Sequence, residues 1–233
     1  DRVKQLVTTP EVNTGHPYLD LSVKTGLAFI DLTFQGDHPK YGVKHYADER
    51  HDGFPPIIIA TVDALTAWGL AERAAQLFRY WLAHFVNADG SINYYGPSLS
   101  ECGQLLHTAA LLHERAGGDG WWPEGRTTLD RLACYLLDLC ARAVVTDGVL
   151  PGIPEADIAD ADPNNVSDAA HSERNRFFHN NAWVARGLLR WADLADRTGF
   201  ETRQPVAQIH RTAYRLARNT LAAIGNAWPI DGW

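Results

Sequence analysis

The sequence predicts an all-α protein built from helical hairpins, and two observations carry this prediction. From Pro55 onward, apolar residues recur at the three-to-four-residue spacing that places them on one face of a helix. These amphipathic stretches come in pairs of similar length, and the turn dipeptide Asp-Gly recurs between them. Repeated helical pairs with short turns are typical of a helical-hairpin array.

Three helical pairs are predicted within residues 55–233. Ser98 and Glu101 form a capping box at a helix start, and Pro123 suits a first helical turn. Gly117 and Gly199 suit helix ends. The predicted pairs are 57–68 with 71–86, 98–116 with 123–145, and 180–198 with 201–224.

Two stretches are predicted to be non-helical. Residues 1–54 form an irregular or partly β segment, in which the apolar run 26–34 fits either a strand or the start of a buried helix. Residues 147–178 form a long loop rich in Pro, Asp and Asn, and loops of this length are usually functional or disordered. We expect this loop and the Asp-Gly turns to lie near one shared face.

Composition argues against several classes of protein and partner. The chain of 233 residues has the hydrophobic and charged fractions of an ordinary globular protein, and no apolar run approaches the roughly 20 residues of a membrane span. A net charge of −7 disfavours nucleic acid and anionic membranes and suits a neutral or cationic ligand. The three cysteines lie in apolar settings, which favours buried thiols and a reducing compartment such as the cytoplasm.

Three stretches together resemble one superfamily. In residues 46–61 an acidic loop leads into an apolar helix, in residues 147–157 a Pro-bounded loop ends in acidic residues, and residues 177–188 join His-Asn-Asn to a tryptophan-bearing helix. This pattern resembles the six-hairpin glycosidases, whose fold is an (α/α)6 toroid. The resemblance implies that loops at the starts of inner helices carry carboxylates into a central cleft. It implies a toroid domain over residues 55–233 and a carbohydrate ligand.

The six predicted helices make about half of a twelve-helix toroid, within an expected range of half to two-thirds. Half a ring leaves an apolar flank exposed, which a soluble monomer rarely tolerates. We therefore expect the chain to be part of a longer protein, or to form an oligomer or pair with a second chain that completes the ring.

Two carboxyl groups must face a glycosidic bond for its hydrolysis, one to protonate the leaving oxygen and one to activate water or attack the sugar. The catalytic candidates are Glu155, Asp157, Glu49 and Asp48. Because acids on different loops can reach the roughly 6.5–9.5 Å separation of an inverting pair, we predict Glu155 as the acid and Glu49 as the base. Asp48 and Glu49 also suit the dipole of a helix start, whereas Asp52 is predicted as a turn residue.

Side chains that suit sugar binding cluster near predicted helix starts. Amide and imidazole groups can hydrogen-bond sugar hydroxyls, and an aromatic ring packs against the C–H face of a sugar. Helix capping is the alternative role for the asparagines and Glu101, and core packing is the alternative for Trp183. The predicted binding residues are His179, Asn180, Asn181, Trp183, Arg186, Arg50, Tyr94, Tyr95, Glu101, Trp121 and Trp122.

No cofactor is predicted. Asp160, Asp162 and Asn164 take the first alternate positions of a calcium loop. The glycine of the sixth position is missing, and His171 stands at the twelfth, so a solvated acidic loop is favoured.

Two rival functions remain open. An (α/α)-toroid polysaccharide lyase would use a Tyr or His base beside an Asn or Arg that neutralises a uronate carboxylate, a role that Tyr94, Tyr95, His179, Asn180 and Arg186 could fill. A non-catalytic helical-repeat scaffold would instead bind protein partners.

Overall fold

The computed structural model describes residues 12–40, 42, 49, 51–94, 99–117, 121–143, 148–152 and 176–227. This part of the chain is all-α, as predicted, apart from a two-stranded antiparallel ribbon. The helices are α1 (Pro17–Leu32), α2 (Pro55–Ala67), α3 (Ala71–Phe85), α4 (Leu99–Ala116), α5 (Trp122–Ala143), α6 (Phe178–Thr198) and α7 (Val206–Ala227). The ribbon pairs β1 (Phe34–Gln35) with β2 (His38–Pro39), and a 3₁₀ helix spans His51–Gly53.

Helices α2 to α7 are the three predicted pairs, but α1 was not predicted. The apolar run 26–34 is mostly the second half of α1, and only its last residue enters a strand. Pro17 opens this helix, and Asp20 in its first turn accepts hydrogen bonds from the backbone N–H and the hydroxyl of Thr14. None of the helices in the described ranges is long and apolar enough to cross a membrane.

The inner layer consists of α2, α4 and α6, with α4 packed between the other two. Residues near the start of α4 contact residues near the start of α6, and later residues of α4 contact later residues of α6. Gly103 lies against the backbone of Trp183, whereas Glu114, further along α4, binds Arg190 and Arg197, further along α6. These two helices therefore run parallel, with their starts at the same end.

The first inner helix follows the same direction. Phe54, just before α2, packs its ring 5.5 Å from that of Tyr94, which precedes α4. Asp63, in the second half of α2, interacts with Arg115 near the end of α4. All three inner helices therefore begin at one end of the bundle, which we call the front end.

The outer layer consists of α3, α5 and α7, each separated by three to seven residues from the inner helix before it. Phe78 of α3 packs against Trp121 at the start of α5, and Gly90 after α3 lies against Arg131 in the middle of α5. Arg203, before α7, meets Asp130 of α5. The outer helices are therefore parallel to each other and antiparallel to the inner layer.

Large aromatic side chains fill the space between the layers. Trp81, Trp121, Trp191 and Phe78 are all fully buried. The indole N–H of Trp81 donates to the carbonyl of Gly53 at 3.0 Å, which fixes the 3₁₀ helix at the front end. The core thus holds the chain that leads into α2 in a defined position.

Glycines allow α4 and α6 to touch through their backbones. A Cβ on Gly103 would overlap the carbonyl group of Trp183, and one on Gly187 would overlap the carbonyl of Gly103. Glycine in mid-helix costs up to about 1 kcal/mol relative to alanine, so its presence at both sides of this crossing indicates a packing requirement. This close approach keeps the starts of the two helices together.

Large apolar side chains are exposed on the first and last described helices. On α1, the exposed residues include Tyr18, Phe29 and Leu32, and on α7 they include Tyr214 and Leu221. Such faces suit contact with another element or another chain. The expected completion of a ring by further residues or a second chain remains a prediction.

Candidate functional site

The front end brings together several of the residues predicted from the sequence. Glu101 lies in the first turn of α4, and His179, Asn180 and Asn181 lie in the first turn of α6. Tyr94 lies in the chain that approaches α4. Because the inner helices are parallel, Glu101 and Asn181, which are 80 positions apart in the chain, lie at the same level of the bundle.

Asn181 has a structural role at this end. Its side-chain amide donates to the carbonyls of Leu150 and Phe177, at 3.1 and 3.0 Å, and its Oδ1 accepts the N–H of Leu150 at 2.7 Å. These bonds satisfy both buried polar backbone groups of Leu150. Asn181 therefore fixes the start of the long loop rather than offering a free amide to a ligand.

The loop that carries Glu155 and Asp157 departs from the front end. A Cβ on Gly152 would lie 3.3 Å from Nδ2 of Asn180 and 3.7 Å from Cδ1 of Leu99, at the starts of α6 and α4. The chain returns at Phe177, next to α6. Several predicted site residues lie outside the described residues: Glu155, Asp157, Asp48, Arg50, Tyr95, Asp160, Asp162 and Asn164.

Glu101 is a buried carboxyl group, with only 3% of the residue exposed. Ser100, Tyr94 and Asn180, which also lie at the front end, are buried as well. Glu101 lies two turns before Thr108 on the same face of α4, the face that turns towards Asp63 of α2. The partial positive charge of the helix start acts on this carboxyl group, in the direction opposite to the effect of its burial.

Cys102 is an unsuitable nucleophile. Burial, followed by the negative charge of Glu101, raises the pKa of its thiol far above the ordinary range. The thiol therefore stays protonated at neutral pH, and protonated thiols are weak nucleophiles. The described front end keeps other groups that can take part in chemistry, namely the carboxyl of Glu101, the amide of Asn180, the imidazole of His179 and the phenol of Tyr94.

Asp52 is buried and forms an ion pair in addition to the turn predicted from its Asp-Gly sequence. Its carboxylate accepts a hydrogen bond from Nζ of Lys40 at 2.5 Å and lies 3.4 Å from Nε2 of His38. The His38 ring stacks on Tyr80 with centroids 4.4 Å apart. The hydrogen bond to Asp52 raises the pKa of Lys40, with a smaller contribution from Glu49.

Glu49, the predicted base, belongs to this Asp52 cluster. It is exposed, and its charge acts on Lys40 and Tyr80. Tyr80 lies on a different side of α3 from Phe78, which packs towards α5. Glu49 therefore lies at the flank of the first hairpin.

Trp121 and Trp122 lie in the hydrophobic core, not in an accessible loop. They are 1% and 8% exposed and pack against each other, Phe78 and Trp191. They also lie at the start of α5, which is the end opposite to the front end. Neither indole offers a sugar-binding face, so we exclude both from the candidate site.

Of the Asp-Gly turns, those at 52–53 and 89–90 lie at the front end, as does Gly148 of the turn at 147–148. The turn at 119–120 lies outside the described residues, but Gly117 and Trp121 on either side of it lie at the opposite end. The expectation of one shared face therefore applies only to the turns that precede inner helices.

A second group of polar side chains, which we call the seam, lies between α4 and α6. It consists of His107, Trp183 and Arg186. The rings of His107 and Trp183 have centroids 5.8 Å apart, and Arg186 acts electrostatically on His107. His107 was not predicted as a site residue. The sequence could have indicated it, because His107 follows Ser100 and Gln104 at helical spacing and so continues a polar face of α4.

Two partly buried histidines have lowered pKa values. For His107 the main cause is burial, followed by the charges of Arg186 and Arg190. Burial also lowers the pKa of His113, followed by the charge of Arg197. Both imidazoles therefore favour the neutral form in the folded protein.

These histidines predict a loss of stability on mild acidification. Below the ordinary histidine pKa of about 6.5, the unfolded chain binds protons that the folded chain resists, so the free energy of unfolding falls as pH decreases. We expect the melting temperature of a His107→Gln/His113→Asn variant to depend less on pH between 7.5 and 5.5 than that of the wild type. An equal pH dependence of the two proteins would contradict this assignment.

The matched control for this measurement is His16→Gln, because His16 is exposed and precedes α1. This variant should keep the wild-type pH dependence. Burial raises the pKa values of Asp63 and Asp130. These two carboxyl groups therefore make the folded protein more stable as pH falls, which is opposite to the effect of the histidines. Comparing variants at each pH removes this background.

No three His, Cys, Asp or Glu side chains of the described ranges converge on a point where a metal ion could bind.

Comparisons of the chain with protein-family models, with curated proteins and with solved structures found no match.

Proposed function

We propose that this protein hydrolyses glycosidic bonds with a pair of carboxyl groups at the front end. The observation that carries the proposal is the buried Glu101 in the first turn of the central inner helix. The long acidic loop leaves from Gly152, beside the same helix start. Two carboxyl groups from different parts of the chain can thereby approach one bond.

We assign the pair to Glu101 and Glu155. Glu101 replaces Glu49 as the predicted base, because Glu49 is exposed at the flank of the first hairpin and interacts with Lys40. A base must be an ionised carboxylate, and the helix start at Glu101 offsets part of the cost of burying that charge. Glu155 keeps the role of acid that the sequence suggests.

The reaction consumes one water molecule. Glu155 gives its proton to the oxygen of the leaving group while the bond from that oxygen to the anomeric carbon breaks. Glu101 takes a proton from water, and the water oxygen attacks the same carbon. The products are a sugar with a new reducing end and an alcohol or shortened sugar.

The arrangement of the two helical layers also supports this proposal. Three parallel inner helices backed by three parallel outer helices are what an arc of an (α/α) toroid requires. In a closed ring the front end would face a central cleft. The exposed apolar faces of α1 and α7 would be covered by the rest of such a ring.

A panel of neutral and acidic oligosaccharides tests this activity. Hydrolysis releases new reducing ends without ultraviolet absorbance, whereas a lyase forms an unsaturated sugar that absorbs. We expect reducing ends without that absorbance. An absorbing product would favour the lyase, and the absence of turnover on every substrate would favour the binding scaffold.

A further inference from the structure

The outward side of α7 carries basic and apolar side chains in two adjacent stripes, which together we call the α7 face. The basic stripe consists of Arg211, Arg215 and Arg218, all of them exposed. The apolar stripe consists of Tyr214 and Leu221, which are 62% and 69% exposed. Spacings of three, four and seven residues keep each stripe on one side of the helix.

The basic stripe lies along a groove between α5 and α7. The groove has a volume of about 470 Å³, and besides the three arginines it is lined by Leu137, Ala141, Gln208 and Thr212. No described carboxylate forms an ion pair with these guanidinium groups. Two further exposed charges near the end of α5, Asp138 and Arg142, balance each other. The groove therefore has an excess of positive charge, although the whole chain has a net charge of −7.

The opposite border of the apolar stripe is acidic. His210 of α7 lies between two exposed carboxylates of α6, with its Nε2 3.7 Å from Asp193 and 3.6 Å from Asp196. The ring of His210 stacks on that of Tyr214. The apolar stripe thus has a basic border towards α5 and an acidic border towards α6, so a complementary partner must differ in charge between its two edges.

We propose that the α7 face binds an amphipathic helix of a separate protein. The apolar side of that helix covers Tyr214 and Leu221, and one of its edges carries Asp or Glu residues that pair with the arginines. An apolar centre with charged groups at its border is the usual composition of a protein interface, in which tyrosine and arginine are enriched. The charge of the edge selects the partner. This binding does not depend on the proposed hydrolysis.

A second copy of this chain is a poorer occupant of the α7 face. Most other exposed large apolar residues of the described ranges lie on α1. The two acids of α1 are engaged within the protein, since Asp20 binds Thr14 and Asp31 lies 3.9 Å from Arg73. The exposed side of α1 would therefore cover the apolar stripe and leave the arginines without carboxylates.

Fluorescence anisotropy with three designed helical peptides tests the proposal. Each peptide has about three heptads, and the first two carry leucine at the a and d positions. The first has glutamate along one edge and glutamine along the other, and the second has glutamine along both. The third has the composition of the first, with its leucines moved off the heptad spacing. We expect the wild-type chain to bind the first peptide roughly tenfold or more tightly than either of the others.

Variants of the α7 face separate charge from packing. Arg211→Gln/Arg218→Gln should bind the first peptide as weakly as the second, because the glutamates lose their partners. Leu221→Ser should weaken binding of both peptides by roughly tenfold, because it removes apolar contact area. The matched control is Arg79→Gln/Arg115→Gln, which removes two exposed arginines of α3 and α4 and should bind like the wild type. Melting temperatures establish that each variant is folded.

Equal wild-type affinity for the first two peptides, or a preference that survives in Arg211→Gln/Arg218→Gln, would overturn the proposal. Equal binding of the third peptide would show that the arginines attract any polyanion, which would also overturn it. Analytical ultracentrifugation tests the second copy: binding of no peptide, together with self-association that Leu221→Ser abolishes, would assign the face to that copy instead. Binding of no peptide without self-association would likewise reject the proposal. None of these outcomes requires turnover, so they are independent of the hydrolysis assay.

Discussion

Replacing Glu101 with Gln should lower glycoside turnover by roughly 10²–10⁴-fold, the usual contribution of a general base or acid. The substitution keeps the shape of the side chain and its ability to hydrogen-bond at a helix start, since Glu and Gln serve equally in a capping box. It removes the carboxylate that takes a proton from water. Turnover is measured by release of reducing ends, and folding by the melting temperature.

The same variant separates catalysis from capping. If Glu101 only caps α4, Glu101→Gln should keep both full turnover and full stability, and this outcome would reject the assignment. Glu72→Gln is the matched control, because Glu72 is an exposed acid in the first turn of α3, at the opposite end of the bundle. Its turnover should equal that of the wild type.

Replacing Gly103 with Ala should destabilise the protein by about 3 kcal/mol, at the upper end of the usual cost of overpacking. The added methyl group would overlap the backbone carbonyl of Trp183, which cannot move without shifting α6. The two inner helices would then separate, and the front end would lose its geometry. Denaturant unfolding measures the loss as a lower midpoint at constant slope.

The control for the glycine contact is Gly26→Ala. Gly26 lies in the middle of α1, and a Cβ there would meet no atom within 4 Å. This substitution should therefore be neutral or stabilise the protein by up to about 1 kcal/mol. A Gly103→Ala variant as stable as Gly26→Ala would contradict the close packing of α4 and α6.

The sequence predicts helices α2 to α7 well because each buries one face. Residues such as Leu77 and Trp81 recur at helical spacing and are all buried, so local periodicity carries the information. Helix α1 lacks this contrast. Leu27 is buried, but Leu19, Leu21 and Phe29 are exposed, and apolar residues on several faces conceal the period. The two-residue strands are too short to leave any pattern.

The candidate site was harder to predict because it depends on which helices are neighbours. Trp122 follows an Asp-Gly turn, and only the alternation of inner and outer layers shows that this turn lies away from the front end. Lys40 binds Asp52 although the two residues are 12 positions apart and belong to no local sequence motif. His107 and Arg186 meet only because α4 and α6 run parallel.

Cleavage of oligosaccharides in water enriched in ¹⁸O tests the central claim most directly. Hydrolysis joins an oxygen atom of water to the anomeric carbon, so mass spectrometry should find one ¹⁸O atom in the new reducing end after correction for spontaneous exchange. Glu101→Gln should greatly slow the appearance of this labelled product. Cleavage without incorporation of ¹⁸O, or no cleavage of either neutral or acidic oligosaccharides, would contradict the account.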